Sequence, residues 1–287
     1  MKSDMKLLIA VPSKNRYRED QIIRNTFSWL QYSEYDFKIF VEPSEYENYC
    51  KAVGAENVIS VEKNNINIGG SKCYIQKWAI EHGYDLILKC DDDIWNWRDF
   101  KNGWFPYQGK TSGIPMKERK RACAEFVFDK AMEDSVKLFE QRPDVGCVSY
   151  FYGQMMFHKP GTKWVTFNCR PATVYMTRAE LLAPERQSEI HQFEEFYSWY
   201  NMRKLGYVCP RYGLAGFHID GDYASNSGGL QDFNRRKMTI ESMRILNEIW
   251  PGELIYKKDN GDGGFFMTHN TRKIELCKPI PVPDDLI

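Results

Sequence analysis

The first ninety residues alternate short apolar runs with stretches whose apolar positions recur at helical spacing. The apolar runs predict strands at 6–12, 37–43, 57–63 and 85–90, and the periodic stretches predict helices at 19–32, 45–54 and 71–83. This β-α-β-α-β-α-β order predicts the α/β fold class, with a doubly wound, mostly parallel central sheet and helices on both faces.

The pattern changes after the fourth strand. Residues 101–121 contain three Gly and two Pro without a clear period, which predicts a long loop that leads into a helix over 123–143. Further strands are predicted at 145–152, 172–177 and 207–219, with helices near 194–206 and 239–251. We therefore expect a single domain over 1–287. It would consist of a first half at 1–100 and a second half at 101–230, followed by a C-terminal helix and tail at 231–287.

Composition narrows the class of protein. Apolar residues make up 43% and charged residues 27%, which is enough for a large core and argues against disorder. The 39 basic and 39 acidic residues balance, which excludes a polybasic protein but allows a local charged patch. Mean hydropathy is −0.56 and no apolar run approaches the ~20 residues of a membrane span, so a cytoplasmic location is expected. The eight Cys residues form no CxxC pair, which disfavours a zinc site.

Three adjacent acids, Asp91, Asp92 and Asp93, directly follow the fourth predicted strand. Like charges at this spacing repel one another, and a cation would offset the repulsion. At the carboxyl end of a parallel sheet that cation is Mn²⁺ or Mg²⁺, because both prefer oxygen ligands. A solvated acidic turn is the alternative, and the position after a buried strand disfavours it.

A Gly-Gly turn precedes the helix predicted at 71–83, and a lysine stands on the first turn of that helix. Gly69 and Gly70 would allow close approach of a diphosphate to backbone amides, and Lys72 would meet the same group from the first helical turn. The spacing does not match the GxxxxGK[ST] loop of ATP-hydrolysing proteins.

Three segments together resemble the signatures of GT-A-fold glycosyltransferases: VPSKNR at 11–16, NIGGSKCYIQKWAIEHGYDLILKCDDD at 67–93, and FEEFYSWYNMRKLGY at 193–207. The resemblance covers roughly residues 6–220. It implies that the half at 1–100 binds a nucleotide sugar and that the half at 101–230 binds the acceptor. It implies that the DxD acids hold a metal that binds the diphosphate of a nucleotide sugar. It also implies that an acid opening the late helix acts as the catalytic base. Glu195 has the family's spacing to Gly206, but Glu replaces the family's Asp, so Glu194 is the alternative.

Within this fold the chain is most similar to the TET/JBP-associated glycosyltransferases of phages. The similarity lies in VPSKNRY, DDDIW, GFHID and the single-domain length. It implies transfer of a sugar, from a UDP-linked donor, onto hydroxymethylated pyrimidines in DNA such as hydroxymethylcytosine. If the chain is phage-encoded, its place would be the cytoplasm of the infected host.

The candidate site residues follow from these signatures and from local chemistry. His218 is included as a metal ligand because a C-terminal His often completes the metal shell in GT-A enzymes; a structural His is the alternative. The basic residues after the long loop suit a phosphate backbone, although a solvated helix start is the ordinary reading of such a run. The assigned groups are: catalytic, Glu195 or Glu194; donor-binding, Pro12, Ser13, Asn15, Arg16, Gly70, Lys72, Asp91 and Asp92; metal, Asp91, Asp93 and His218; acceptor-binding, Trp104, Lys117, Arg119, Lys120 and Arg121.

Three alternative functions stay open at this point. One is a GT-A transferase acting on a glycan or a small alcohol, with the basic residues merely solvated. Another is a nucleotidyltransferase, for which SKNR is a poor version of the expected Gly-rich, basic motif. The third is a catalytically inactive DNA-binding module, which the presence of all three acids disfavours.

Overall fold

A computed structural model describes residues 4–18, 21–100, 113–152, 163–165, 168–171, 173–219, 235–258 and 265–269. Its strands are Leu7–Pro12 (β1), Phe37–Val41 (β2), Val58–Ser60 (β3), Leu86–Lys89 (β4), Ile94–Asp99 (β5), Cys147–Tyr152 (β6), Tyr175–Arg178 (β7), Arg211–Ile219 (β8), Leu254–Lys258 (β9) and Phe265–His269 (β10). Its α-helices are Gln21–Arg24 (α1), Thr26–Leu30 (α2), Tyr46–Val53 (α3), Ile68–Glu81 (α4), Met116–Ala122 (α5), Asp129–Gln141 (α6), Glu194–Lys204 (α7) and Arg235–Ile249 (α8).

Eight strands form one sheet in the order β3-β2-β1-β4-β7-β6-β8-β5. The pairs β1–β2, β1–β4, β2–β3 and β6–β8 are parallel, whereas β4–β7, β6–β7 and β5–β8 are antiparallel. The predicted α/β class with a mostly parallel sheet is confirmed. The fourth strand is parallel to β1 alone, because its other neighbour, β7, runs in the opposite direction.

Side chains of β1 alternate between two apolar layers, as a strand covered on both faces requires. Leu7, Ile9 and Val11 join the layer covered by α2, α3 and α6, while Leu8 and Ala10 join the layer covered by α4, α7 and α8. The sheet therefore has helices on both faces, and its carboxyl edge stays available for a site.

Local signals set the ends of the helices that frame this edge. The Asn67 side chain accepts a hydrogen bond from the Gly70 backbone N–H at 2.6 Å and so caps the start of α4. Gly54 follows α3 with φ 89°, and Gly206 follows α7 with the same value, which a residue with a Cβ adopts only under strain.

Several predicted boundaries differ from the structure. The helix expected over 19–32 is interrupted at Asn25, whose φ and ψ of −96° and −115° are not helical. The helix expected over 123–143 begins with a π-helical segment, Cys123–Phe128, before α6. The strand β5 and the β9–β10 hairpin were not predicted. Among the described residues, no helix is both long and apolar enough to cross a membrane.

Candidate active site

A cleft of about 630 Å³ opens at the carboxyl ends of the strands β1, β2 and β4. The loop after β1, the loop after β4, and the first turns of α4, α7 and α8 form its walls. The cleft brings together residues that lie far apart in the sequence. Eight predicted site residues line it: Pro12, Ser13, Arg16, Asp91, Asp92, Asp93, Glu194 and Glu195.

A short chain of hydrogen bonds ties the middle acid to the loop after β1. The Ser13 hydroxyl donates to the Asp92 carboxylate at 2.6 Å, and the Arg16 backbone N–H donates to the Tyr49 hydroxyl at 2.9 Å. The Tyr49 and Ser13 hydroxyls are 2.6 Å apart. Because the single Ser13 hydroxyl proton is used on Asp92, Tyr49 is the donor to Ser13. Both oxygens of Asp92 therefore face protein groups, since its second oxygen is 3.4 Å from Arg16 Nε.

The Arg16 guanidinium lies against two of the three acids. Its Nη2 atom is 3.9 Å from an Asp93 oxygen, in addition to the contact with Asp92, and its Nη1 atom donates to Gln21 at 3.0 Å. Arg16 is buried, so its charge is weakly screened by solvent. One cation therefore offsets part of the repulsion within the triplet.

Burial raises the pKa of Asp91, Asp92 and Asp93 to about 6 in each case. Repulsion from the neighbouring acids contributes to this rise in pKa, while the positive charge of Arg16 or Lys89 opposes it. The three ionised carboxylates therefore repel one another, and one more positive charge nearby would lower the free energy of the ionised triplet.

The outer two acids retain oxygens that could hold a divalent cation. The Asp93 Oδ1 atom is buried and has no hydrogen-bond partner among the described residues, and Asp91 uses one oxygen to contact Lys89. Carboxylate oxygens are the hard ligands that Mn²⁺ and Mg²⁺ prefer. The donor set therefore fits such a cation through Asp91 and Asp93, with Asp92 held by the protein.

His218 does not join these acids in the structure. It lies on β8 opposite Asn96 of β5 and is absent from the cleft lining. Within the described part of the chain, no three His, Cys, Asp or Glu side chains form a ready-made metal site. The assignment of His218 as a metal ligand stays a prediction without support from this geometry.

Two buried lysines and two glutamates form a second charged group beside the triplet. Lys89 Nζ contacts an Asp91 oxygen closely and is 3.5 Å from Glu195 Oε1. Lys72 Nζ is 3.8 Å from Glu194 Oε1. Both glutamates lie in the first turn of α7, where the helix dipole favours negative charge.

The two glutamates differ in their pKa. Burial, followed by the charge of Glu195, raises the pKa of Glu194 to about 7. Burial also opposes ionisation of Glu195, but the Lys89 and Lys72 ammonium groups outweigh it and lower the pKa to about 2. At neutral pH Glu195 is therefore an anion, whereas burial and the charge of Glu195 disfavour the ionised form of Glu194.

Comparison with known proteins places this cleft in a family. The sequence model of the TET-associated glycosyltransferases matches residues 7–195, which include the loop after β1, the acid triplet and both glutamates. The chain belongs to the TET-associated glycosyltransferase family. The expectation of a glycosyltransferase is thereby confirmed. No protein with a curated description matches this family member in sequence.

Solved structures of low sequence identity resemble this TET-associated glycosyltransferase. Glucosyl-3-phosphoglycerate synthase from Mycobacterium tuberculosis, in complex with Mg²⁺ and UDP, is 11% identical, with 93% of this chain and 87% of the other covered and a TM-score of 0.47. The same synthase with Mn²⁺ and UDP-glucose is also 11% identical, with 93% of this chain and 86% of the other covered and a TM-score of 0.45. A protein assigned as a nucleotide-diphospho-sugar transferase from Desulfovibrio desulfuricans is 10% identical, with 86% of this chain and 98% of the other covered and a TM-score of 0.42.

The Gly-Gly pair has a packing role in the structure and does not line the cleft, so its role in diphosphate binding stays a prediction. Gly69 and Gly70 lie inside the first turn of α4, and the Gly70 N–H is already bonded to Asn67. A Cβ at Gly69 would lie 2.1 Å from the Gln187 carbonyl oxygen. Gly69 therefore lets α4 approach the segment that leads into α7, whereas Gly70 makes room for the Ile66 side chain.

Two other predicted donor-binding residues are also outside the cleft lining. Lys72 is fully buried and its ammonium lies beside Glu194, because α4 packs its first turns onto the sheet. Asn15 has φ 61°, and its backbone N–H donates to Glu45. Neither side chain lines the cleft in this family member.

The predicted acceptor-binding residues are divided by the structure. Lys120 is buried, donates to the Trp95 backbone carbonyl and lies 3.7 Å from the centre of the Trp95 ring. Its ammonium group therefore contacts the protein and is not exposed to an acceptor. Lys117 and Arg121 are exposed, and Arg119 is half-buried. Trp104 lies outside the described residues. No residue of α5 lines the cleft.

Several residues that line the cleft were not among those predicted from the sequence. Lys89 carried a signal, since a lysine ends an otherwise apolar strand. Lys14 forms an ion pair with Glu42 at 2.9 Å, which no spacing in the sequence predicts. His191 and Lys237 reach the cleft from the segment before α7 and from α8.

The raised pKa of the triplet predicts a stability gain from Asp93→Asn in the absence of divalent cation. Because the folded-state pKa of Asp93 is raised from 3.8 to about 6, stability falls as the pH rises between these two values, and the loss is complete above about 6. We expect Asp93→Asn to raise the free energy of unfolding at pH 7.5 by about 1–3 kcal/mol, and to have little effect near pH 4. Urea denaturation in EDTA at both pH values measures this.

Asp92→Asn is the matched control for this experiment. It removes the same charge but weakens the Ser13 and Arg16 contacts, so its gain at pH 7.5 should be smaller. An Asp93→Asn protein that is less stable than wild type at pH 7.5 would contradict the electrostatic account.

Proposed function

We propose that this glycosyltransferase moves a sugar from a UDP-linked donor onto a hydroxymethylated pyrimidine in DNA, with Mn²⁺ or Mg²⁺ at the acid triplet. The observation that carries the proposal is that the triplet and the Glu194–Glu195 pair open onto one cleft. The family description, which refers to TET, suggests a modified base as acceptor.

The balance of buried charge supports a cation at this site. In the part of the chain that the structure describes, five acids, Asp91, Asp92, Asp93, Glu194 and Glu195, adjoin three buried cations, Arg16, Lys72 and Lys89. The exposed Arg170 also interacts electrostatically with the two glutamates. Asp91 and Asp93 would hold the metal, which would neutralise charge that develops on the departing diphosphate.

The other end of the cleft suits a nucleoside. Phe40, Val41, Val61 and Ile66 give it an apolar wall, and Asn65 stands beside them. A pyrimidine can pack against such a wall while the Asn65 amide provides a hydrogen bond that orients it. This arrangement would direct the diphosphate toward the acid triplet.

Glu195 is proposed as the group that accepts the proton of the acceptor hydroxyl. Its side chain is 21% exposed, compared with 9% for Glu194, so it is the more accessible to a substrate in the cleft. A base on the face of the sugar opposite the leaving group gives inversion of configuration. Glu194 has a pKa closer to neutrality but points toward Lys72.

The exposed residues of α5 are proposed to meet the DNA backbone. Lys117 and Arg121 present positive charge to solvent, whereas the whole chain has a pI of about 6.9, so DNA binding should be weak and sensitive to salt. A hydroxymethylated base would be read in the major groove or flipped toward the cleft.

One observation favours a second candidate function. The helix α5 does not line the cleft, so the basic residues and the acid triplet form separate surfaces. A glycan or small alcohol could reach the cleft without contacting α5. Transfer onto such an acceptor is therefore the alternative.

A panel of acceptors distinguishes the two functions. The protein would be incubated with UDP-sugars and Mn²⁺ plus plain DNA, hydroxymethylated DNA or simple alcohols, with EDTA controls, and products identified by mass spectrometry of nucleosides. We expect the mass increment of a hexose or a pentose on hydroxymethylated DNA alone, lost in EDTA. Transfer to alcohols but not to hydroxymethylated DNA would establish the alternative.

Conservative variants of the two glutamates test the proposed base. Glu195→Gln should lower turnover by ~10²-fold or more, because it keeps the shape but removes the proton acceptor, while affinity for the donor stays nearly unchanged. Steady-state kinetics of UDP release measures both. If Glu194→Gln loses activity and Glu195→Gln does not, the role belongs to Glu194.

Neutralising α5 tests the DNA contact. Lys117→Gln with Arg121→Gln should weaken DNA binding and reduce the slope of log affinity against log salt by ~0.9 for each lost phosphate contact. UDP-sugar hydrolysis, which needs no DNA, should not change. Lys77→Gln with Lys137→Gln removes the same charge from α4 and α6 and is the matched control. Equal slopes for both double variants would show that α5 is only a solvated surface.

A further inference from the structure

We propose that Lys89 is a positioning residue whose ammonium group holds the Asp91 and Glu195 carboxylates in place from beneath the cleft. The inference rests on the proposed function, since it assigns Lys89 to the geometry of a metal-binding acid and of the base. In this role Lys89 neither binds the sugar donor nor accepts a proton.

The contacts of Lys89 fix its ammonium in three directions. Nζ contacts an Asp91 oxygen, lies 3.1 Å from the Thr173 carbonyl oxygen and lies 3.5 Å from Glu195 Oε1. An ammonium group has three protons to donate, and three acceptors surround this one. The carboxylates it contacts belong to different elements, the loop after β4 and the helix α7.

The position of Lys89 requires an explanation beyond folding. The three preceding residues of β4 are apolar and fully buried, and Lys89 itself is 1% exposed. Burying an ammonium group is costly unless opposite charges surround it, and an apolar residue would fill such a position at lower cost. The two carboxylates that offset the cost are both at the proposed reaction centre.

Lys72 offers an internal comparison. It is equally buried and lies on the same side of the sheet, but its Nζ has no hydrogen-bond partner among the described residues and lies 3.8 Å from Glu194. It also lies 5.2 Å from the centre of the Tyr175 ring. Lys72 therefore offsets charge near the site by pairing with Glu194 alone, without contacting Asp91 or joining two carboxylates.

Removing the Lys89 charge should change cation binding and turnover in opposite directions. Without Lys89, Asp91 loses the ammonium that competes with a metal for its oxygen, and the triplet attracts a cation more strongly. Glu195 at the same time loses the contact that holds its carboxylate. A role limited to stability predicts instead that both properties decline together.

The first test measures both properties on Lys89→Met, which keeps the length of the side chain. We expect the Mn²⁺ dissociation constant, measured by electron paramagnetic resonance, to fall by about threefold or more. We expect kcat for UDP release to fall by ~10²-fold, with KM for the donor within a few-fold of wild type. Lys72→Met is the control, and it should tighten Mn²⁺ binding less. Weaker Mn²⁺ binding together with lower turnover in Lys89→Met would overturn the proposal.

A double-mutant cycle tests whether Lys89 acts through Glu195. If it does, Lys89→Met should reduce kcat by less than about threefold in a Glu195→Gln background, because the positioned group is already gone. Additive losses would overturn the positioning role. Should Lys89→Met fail to fold, the double variant still allows the comparison with Glu195→Gln, since it removes both charges.

Mn²⁺ binding and the kinetic double-mutant cycle together distinguish a failure of the Lys89 role from a failure of the proposed function. If wild-type protein modifies no DNA, the cycle runs on UDP-sugar hydrolysis, and only the acceptor assignment fails. If wild-type protein binds no Mn²⁺, the metal assignment fails, while the kinetic cycle still decides the role of Lys89. Lys89→Arg, which keeps the charge, should recover part of the turnover lost in Lys89→Met.

Discussion

The concentration of buried negative charge at the end of β4 is the constraint on which the rest of this site depends. Three consecutive carboxylates and two glutamates face one cleft, and burial raises the pKa of each member of the triplet to about 6. Each compensating cation comes from a different element: Arg16 from the loop after β1, Lys89 from β4 and Lys72 from α4. The charge balance therefore couples the packing of these elements to the chemistry of the cleft.

The three acids of the triplet have different roles. Asp92 is engaged by Ser13 and Arg16 and so fixes the loop after β1 against the loop after β4. Asp91 and Asp93 retain oxygens that the protein does not use for hydrogen bonds. The arrangement explains why three adjacent acids are compatible with the fold: the middle acid stabilises the loops, and the outer acids keep the charge that can attract a cation.

Periodicity predicted most elements of the first ninety residues, because alternating apolar and helical patterns directly reflect burial. It missed β5, whose alternation is hidden by Trp and a buried Asn96, and it placed a continuous helix where Asn25 interrupts one. It also did not predict that β4 has an antiparallel neighbour, β7. Long-range pairing with β7 decides that direction, and no local pattern records it.

The sequence by itself determined the family signatures: the acids after β4, the glutamates that open α7, and the loop after β1, all of which reach one cleft. Tertiary structure alone decided which neighbouring residues take part. Gly69 and Gly70 proved to pack against protein, Lys72 and Lys120 proved to be buried, and Lys89 proved to contact two acids. The reason is physical, because a residue type fixes what a side chain can bind, whereas burial and distance to other charges arise only when separate elements pack together.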